Sequence, residues 1–285
     1  MKQDMPSSQS IGEIISEAHQ LSSDQVEKIL AYQKQHNVKF GEAAVALGLV
    51  QRDDVLWALS QQFDYPYANS ATSAISAELQ AAAQPFSAQA EAIRSLRSQL
   101  LTTAFGPAMA KRPLAVISPC VGDGKSYLCA NLAVSLAQMG SKVVLVDADM
   151  RAPRQNLIFN TPSTSTGLSS VLASRGAVTL THPIEAIPSL YLLPVGVTPP
   201  NPLELIQRPT FRELLTALSE KFDHVLVDTP AGEHGADAKA IAQICQNALL
   251  VGRKNHSRSR AMDKFVKDIK DSVENIAGLV MNEHA

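Results

Sequence analysis

The segment LAVISPCVGDGKSYLCANLAVSLAQMG, residues 114–140, constrains the chain more than any other. An aliphatic run passes through a glycine-containing turn ending in Gly-Lys-Ser and then into a stretch with helical patterning. A turn in that position presents backbone N–H groups and the positive end of a helix to an anion. Gly122 and Gly124 let the backbone approach phosphate oxygens. Lys125 has the reach for the outer phosphates, and the Ser126 hydroxyl is placed to ligate magnesium. One departure stands out: Pro119 occupies the position five before Gly124, where the usual motif has glycine.

The surrounding pattern fits an α/β domain. Strand candidates are LAVIS at 114–118, KVVLVDAD at 142–149, LYLLPVG at 190–196, HVLVDT at 224–229, ALLVGR at 248–253 and GLVMN at 278–282. Near-continuous Val, Leu and Ile runs separated by amphipathic helices predict a mostly parallel sheet covered by helices on both faces. Two of these runs end in acid. Asp147 and Asp149 close VVLVDAD, and Asp228 closes VLVD, which places three carboxylates at the edge where parallel sheets bind ligands. Together with GDGKS they predict a magnesium-nucleotide site, with ATP and Mg²⁺ as the cofactors.

Before this domain, residues 10–33 and 39–62 repeat with a period of 29, setting Gly12 over Gly41, Glu13 over Glu42, Leu30 over Leu59 and Gln33 over Gln62. Apolar residues recur at helical spacing, as in Val26, Ile29 and Leu30, then Val55, Leu56 and Leu59. Two short helices per unit predict a small all-α repeat domain over residues 1–67. A Ser/Ala-rich linker with at most one helical turn is expected over 68–85, and the α/β domain over 86–285.

The 25 basic and 27 acidic residues nearly cancel, so net charge gives no sign of a nucleic-acid partner. Cys120, Cys129 and Cys245 form no CxxC pair, which suits a reducing compartment and excludes a zinc knuckle. The opening MKQDMPSSQS lacks the apolar stretch of a signal peptide, and no window approaches 18 apolar residues. A cytoplasmic protein that reaches a membrane through a partner is expected.

The motifs GDGKS, LVDADMR and VLVDTP resemble the Walker A motif, the second Walker box and the Walker B motif of the bacterial tyrosine kinases of exopolysaccharide synthesis. GLSSVLASR at 167–175 and TPPNPLELIQRPTFRELL at 198–215 are similar to further segments of that P-loop family. The N-terminal repeat narrows the resemblance to EpsG-type chain-length determinant kinases. That module is itself similar to the N-terminal domain of type II secretion and pilus ATPases.

The resemblance implies a protein tyrosine kinase whose catalytic set is Lys125, Asp147, Asp149 and Asp228. Gly122, Asp123, Gly124, Lys125, Ser126 and Tyr127 would form the nucleotide loop, and Ser126, Asp149 and Asp228 the metal side. Asp147 or Asp149 would orient the incoming tyrosine hydroxyl and accept its proton, and by analogy Asp147 is the better candidate. Arg253 and Asn282, after the last two strands, resemble adenine-contacting positions. Glu91, Arg94 and Arg97 form an ExxRxxR pattern on one helix face. In the family that motif joins subunits into a ring. A membrane polysaccharide co-polymerase is the implied activator.

Some of the N-terminal type bind cyclic di-GMP, although here Ser10 and Lys39 stand where arginine is common and His19 where the second repeat has Gly48. Tyrosines occur only at 32, 65, 67, 127 and 191, so the C-terminal tyrosine cluster of many members is not found. An internal tyrosine or a partner is then the acceptor, or ATP acts as a conformational switch on the co-polymerase without phosphorylation. A partitioning ATPase of the MinD/ParA type is a rival reading. Cys120 stands at the place of that group's signature lysine.

Overall fold

The computed structural model describes residues 10–51, 54–55, 57–58, 76–107, 110–162, 166–173 and 181–283. The chain divides into two compact units, Met1–Asn69 and Ser70–Ala285.

The first unit carries α1 (Ile11–Ala18), α2 (Ser23–His36) and α3 (Phe40–Ala46), and residues 54, 55, 57 and 58 are helical. The 29-residue repeat appears in how the helices begin. Ser10 and Ser22 cap α1 and α2 in reciprocal boxes with Glu13 and Gln25. One period later Glu42 Oε2 accepts from Lys39 N–H at 3.0 Å, and Asp54 Oδ2 accepts from Gln51 N–H at 2.7 Å. The same back-bond therefore starts all four segments, while the capping hydroxyl is kept only in the first repeat. Ile15, Ile29, Ala43, Ala44, Val50 and Ala58 make the core. Leu30, expected beside Ile29 on the apolar face, is exposed instead. Leu56, Leu59 and the FDYPY segment with Tyr65 and Tyr67 lie outside the described residues.

The second unit opens with α4 (Gln80–Ala83) and α5 (Ala88–Thr103). The expected linker 68–85 thus ends in ordered structure. Leu79, Ala81 and Ala82 are buried, and two polar side chains of a later helix hold the segment. Asn131 accepts from Ala81 N–H and donates to the Glu78 carbonyl, both at 2.9 Å, while Gln138 donates to the Ala81 carbonyl at 2.9 Å. Buried peptide groups need such partners, so the segment docks as part of the α/β unit.

Strands β1 (Leu114–Ile117), β2 (Val143–Asp147), β3 (His182–Pro183), β4 (Leu190–Leu193), β5 (His224–Asp228), β6 (Asn247–Arg253) and β7 (Asn275–Asn282) form one sheet in the order β3-β4-β2-β5-β1-β6-β7. All neighbours are parallel except the short β3–β4 pair. Helices α6 (Lys125–Ala137), α7 (Gln155–Ile158), α8 (Leu168–Ala173), α9 (Pro202–Ile206), α10 (Pro209–Lys221), α11 (Asp237–Cys245) and α12 (Ser259–Ile269) complete the unit.

Alternate strand residues feed two cores, as a pleated strand requires. Ala115, Ile117, Val144, Val146, Val225, Val227 and Leu250 pack with Phe211 and Leu215 of α10, Ile241 of α11 and Phe265 of α12. Leu114, Val116, Val143, Leu145, Leu226 and Leu249 pack with Leu128, Leu132 and Leu136 of α6 and Leu100 of α5. The expected architecture, a mostly parallel sheet between helical layers, is the one observed. β7 begins three residues earlier than its apolar run suggests, with a register shift opposite Ala248/Leu249.

Candidate functional site

The phosphate-binding loop lies between β1 and α6. Gly122 and Gly124 adopt φ +80° and +92°, a left-handed region that side chains disfavour. Gly124 is the N-cap of α6 with no side-chain cap, which leaves the first turn's N–H groups for a ligand. A Cβ at Gly124 would lie 2.0 Å from Asn282 Nδ2, so a side chain there would also have to displace that amide. Pro119 is compatible with the turn because only its carbonyl is used: it accepts from Glu233 N–H at 2.9 Å.

The loop is braced from three sides. Asp123 is buried, and its carboxylate is turned into the protein rather than toward a nucleotide. It accepts from Cys120 N–H at 3.1 Å and from the Ser257 hydroxyl at 2.5 Å. His256 Nε2 lies 2.9 Å from the Val121 carbonyl, and Glu233 accepts from Val121 N–H at 2.5 Å. Arg253 and Asn282 also face this loop, donating to the carbonyls of Gly122 at 3.4 Å and Asp123 at 3.3 Å.

Lys125 is buried and donates to the Ser118 hydroxyl at 3.0 Å. Across the sheet, Asp147 and Asp228 are register partners at the ends of β2 and β5. Asp147 is held by three backbone groups: Oδ1 accepts from Asp149 N–H, and Oδ2 from Arg154 and Gln155 N–H, at 3.1–3.2 Å. Asp149 Oδ1 accepts from Arg151 and Ala152 N–H. Arg151 in turn forks onto the buried Asp237 at the start of α11, its closest contact being 2.9 Å. Lys125, Ser126, Asp147, Asp149 and Asp228 are thereby brought to one end of the sheet.

Burial dominates the electrostatics. It raises the Asp228 carboxyl to about 6, against the neighbouring Ser126 hydroxyl, the Gln155 hydrogen bond and the Lys125 charge, which pull it down. Burial also holds Asp147 well above the usual carboxylate range. The Asp228 charge adds to that, while the Gln155 N–H opposes it. Asp228 Oδ1 is buried and has no hydrogen-bond partner. A site that keeps an unpaired carboxylate oxygen beside a second acid, a serine hydroxyl and a lysine fits a divalent cation with an oxyanion ligand.

Tyr127 is half-buried. Burial, with the Glu78 charge second, raises its phenol pKa. The ExxRxxR residues find partners within the chain. Arg94 bridges Glu91 and the Pro85 carbonyl, and Arg97 donates to Ser135 O and Oγ at 2.8 and 3.2 Å. Sequence reasoning missed Ser118, Ser257 and Gln155. The first two are ordinary loop serines, and no spacing rule marks the third.

A family model described as ParA, NUBPL iron-transfer P-loop NTPase, matches residues 109–284. The tyrosine-protein kinase CpsD of Streptococcus agalactiae is 31% identical over 170 residues, covering 60% of this chain and 73% of that protein. The tyrosine-protein kinase YwqD of Bacillus subtilis is 30% identical over 199 residues, 70% of this chain and 83% of that protein. Among solved structures, the kinase domain of the Escherichia coli tyrosine kinase ETK aligns with a TM-score of 0.67 and 27% identity, over 72% of this chain and 79% of that one. The rival partitioning-ATPase reading shares this fold, and the kinase relatives decide between the two. The chain carries a ParA-type P-loop NTPase domain and belongs to the bacterial tyrosine kinase family.

Proposed function

We propose that this chain transfers the terminal phosphoryl group of ATP to tyrosine and so regulates exopolysaccharide polymerisation, chain length or export. The reading is carried by one observation: Lys125, the Ser126 hydroxyl, Asp147 and Asp228 meet at a single sheet edge around an uncapped helix N-terminus. Mg-ATP, when bound, supplies the phosphoryl group and a divalent charge that offsets the phosphate oxygens. Ser126, Asp149 and Asp228 would hold the metal. Lys125 leaves Ser118 for the phosphates and neutralises charge there.

Asp147 or Asp149 orients the incoming phenol and takes its proton. Asp147 is the better acceptor in basicity because burial raises it. Asp149 has an oxygen that accepts no hydrogen bond among the described residues. Arg253 and Asn282 are placed by resemblance near the adenine; in the structure their contacts are with the loop itself.

We assign the acceptor tyrosine to a partner or to a residue outside those described. Tyr32 packs on the N-terminal core and against His36 with ring centroids 4.1 Å apart, Tyr127 is half-buried, and Tyr191 packs edge-on to Phe222 with ring centroids 5.3 Å apart. A membrane polysaccharide co-polymerase is the partner that the resemblance implies. Among the described residues no helix is long and apolar enough to cross a membrane. Ring-like self-association and cyclic di-GMP binding at the N-terminal unit rest on resemblance alone. For the ring, Arg94 and Arg97 would have to exchange the partners they have here.

The test is Lys125→Ala, titrated with fluorescent ADP in magnesium and assayed with Mg-ATP by phosphotyrosine mass spectrometry alongside the membrane partner. Nucleotide affinity should fall at least tenfold and phosphotyrosine should disappear. Unchanged affinity would overturn the site. Phosphotyrosine absent from the parent protein under every condition would leave the switch reading in its place.

A further inference from the structure

We infer that Gln155 is a positioning residue of the phosphoryl-transfer site: it clamps one oxygen of Asp228 so that the other is held toward the metal. The inference rests on the kinase reading above and adds to it a residue that none of the recognised motifs contains.

Gln155 is fully buried at the first position of α7 and touches all three nucleotide motifs. Its backbone N–H donates to Asp147 Oδ2 at 3.1 Å. Its side-chain Nε2 donates to Asp228 Oδ2 at 2.7 Å and to the Ser126 carbonyl at 3.1 Å. Both amide protons are thus directed at acceptors. Turning the amide over would set Oε1 against a carboxylate oxygen and a carbonyl, so the chemistry fixes its orientation.

The consequence falls on Asp228. A carboxylate has one free torsion beyond Cβ, and fixing Oδ2 fixes the direction of Oδ1. That oxygen is buried and without a partner, and the same holds for Gln155 Oε1. Two buried acceptors left without partners are costly in a folded protein unless a ligand answers them. A metal ion and its coordinated water would answer both. Gln155 then acts on the metal through Asp228, as outer-shell partners of ligating carboxylates do, and loss of such a partner typically costs about ten- to a hundredfold in metal affinity or activity.

The test replaces Gln155 with methionine, which keeps the unbranched length and removes both hydrogen bonds. In the full-length protein, fluorescent ADP is titrated first in EDTA and then with increasing MgCl₂. Gln155→Met should bind ADP without metal within about twofold of the parent, because Lys125 and the loop N–H groups are untouched. Its Mg²⁺ midpoint should rise about tenfold or more. With saturating Mg²⁺, kcat should fall about tenfold or more while KM for ATP stays within about threefold.

A purely structural role would lower thermal stability and leave the Mg²⁺ midpoint in place, and that result would overturn the inference. Should the methionine variant not fold, Gln155→Asn carries the same expectation, since its amide is one methylene short of Asp228. A midpoint within twofold of the parent would again refute the assignment. If the parent protein itself shows no Mg²⁺-dependent nucleotide binding, the underlying functional reading fails rather than the role of Gln155.

Discussion

Asp228→Asn should stabilise the nucleotide-free protein at neutral pH even as it removes magnesium-dependent function. Asp228 is fully buried, and its carboxyl is raised from 3.8 to about 6. A raised carboxyl means that the folded state holds its proton more tightly than the unfolded chain. The native state is therefore favoured below pH 4, and that advantage is lost progressively as pH rises through 6. About two units at roughly 1.4 kcal/mol each put the cost of the ionised group near 3 kcal/mol. Asparagine carries no charge and can still accept from Gln155. Its weaker hydrogen bonds return about 1 kcal/mol, leaving a net gain of roughly 2 kcal/mol at pH 7.5.

The measurement is urea unfolding in EDTA between pH 5 and 8, followed by far-ultraviolet circular dichroism. Tryptophan fluorescence is unsuitable because the single tryptophan, Trp57, lies in the N-terminal unit. The variant should also show a shallower dependence on pH than the parent. Asp147 keeps part of the slope, since burial is the main cause of its raised value. Equal or lower stability of the variant at pH 7.5, with the parent's pH slope intact, would refute the reasoning.

Two further substitutions probe the scaffold. Asn131→Ala removes the acceptor for the buried Ala81 N–H and the donor to Glu78, and should cost about 1–3 kcal/mol. Hydrogen exchange should rise selectively over residues 78–84; uniform protection there would contradict the docking role. Gly41→Ala places a Cβ 2.3 Å from Val55 Cγ1, and overpacking should destabilise the N-terminal unit by about 1–3 kcal/mol. Trp57 fluorescence during urea unfolding reports this directly, and an unchanged midpoint would count against the packing described.

What could be read in advance was local. GDGKS and the acids after VVLV and VLV carry their meaning in a few adjacent residues, and the fold brings them together as their strand-end positions required. The strands were legible because burial on both faces demands continuous aliphatic runs. β3 was not, since two residues including Pro183 leave no pattern. The docking of residues 79–83 onto the α/β unit was hidden for a different reason. QAAAQ reads as low-complexity sequence, and its order depends on Asn131 and Gln138, polar residues some fifty positions later that nothing marks as partners. Asp123 shows what a motif leaves out: its place in the loop is plain from sequence, and the bracing of the turn by its carboxylate through Ser257 is not. Gln155 was illegible because its importance lies in geometry across three elements.

The contact between Asn282 and the Asp123 carbonyl spans 159 residues of chain. β1, which launches the loop, pairs with β5 and β6, both made more than a hundred residues after it. During synthesis the loop therefore emerges from the ribosome long before anything can shape it. A nascent chain halted before β6 would hold GDGKS without Ser257 or Asn282 to fix its turn. Nucleotide capture should then begin abruptly, late in translation, once the last strand has joined the sheet.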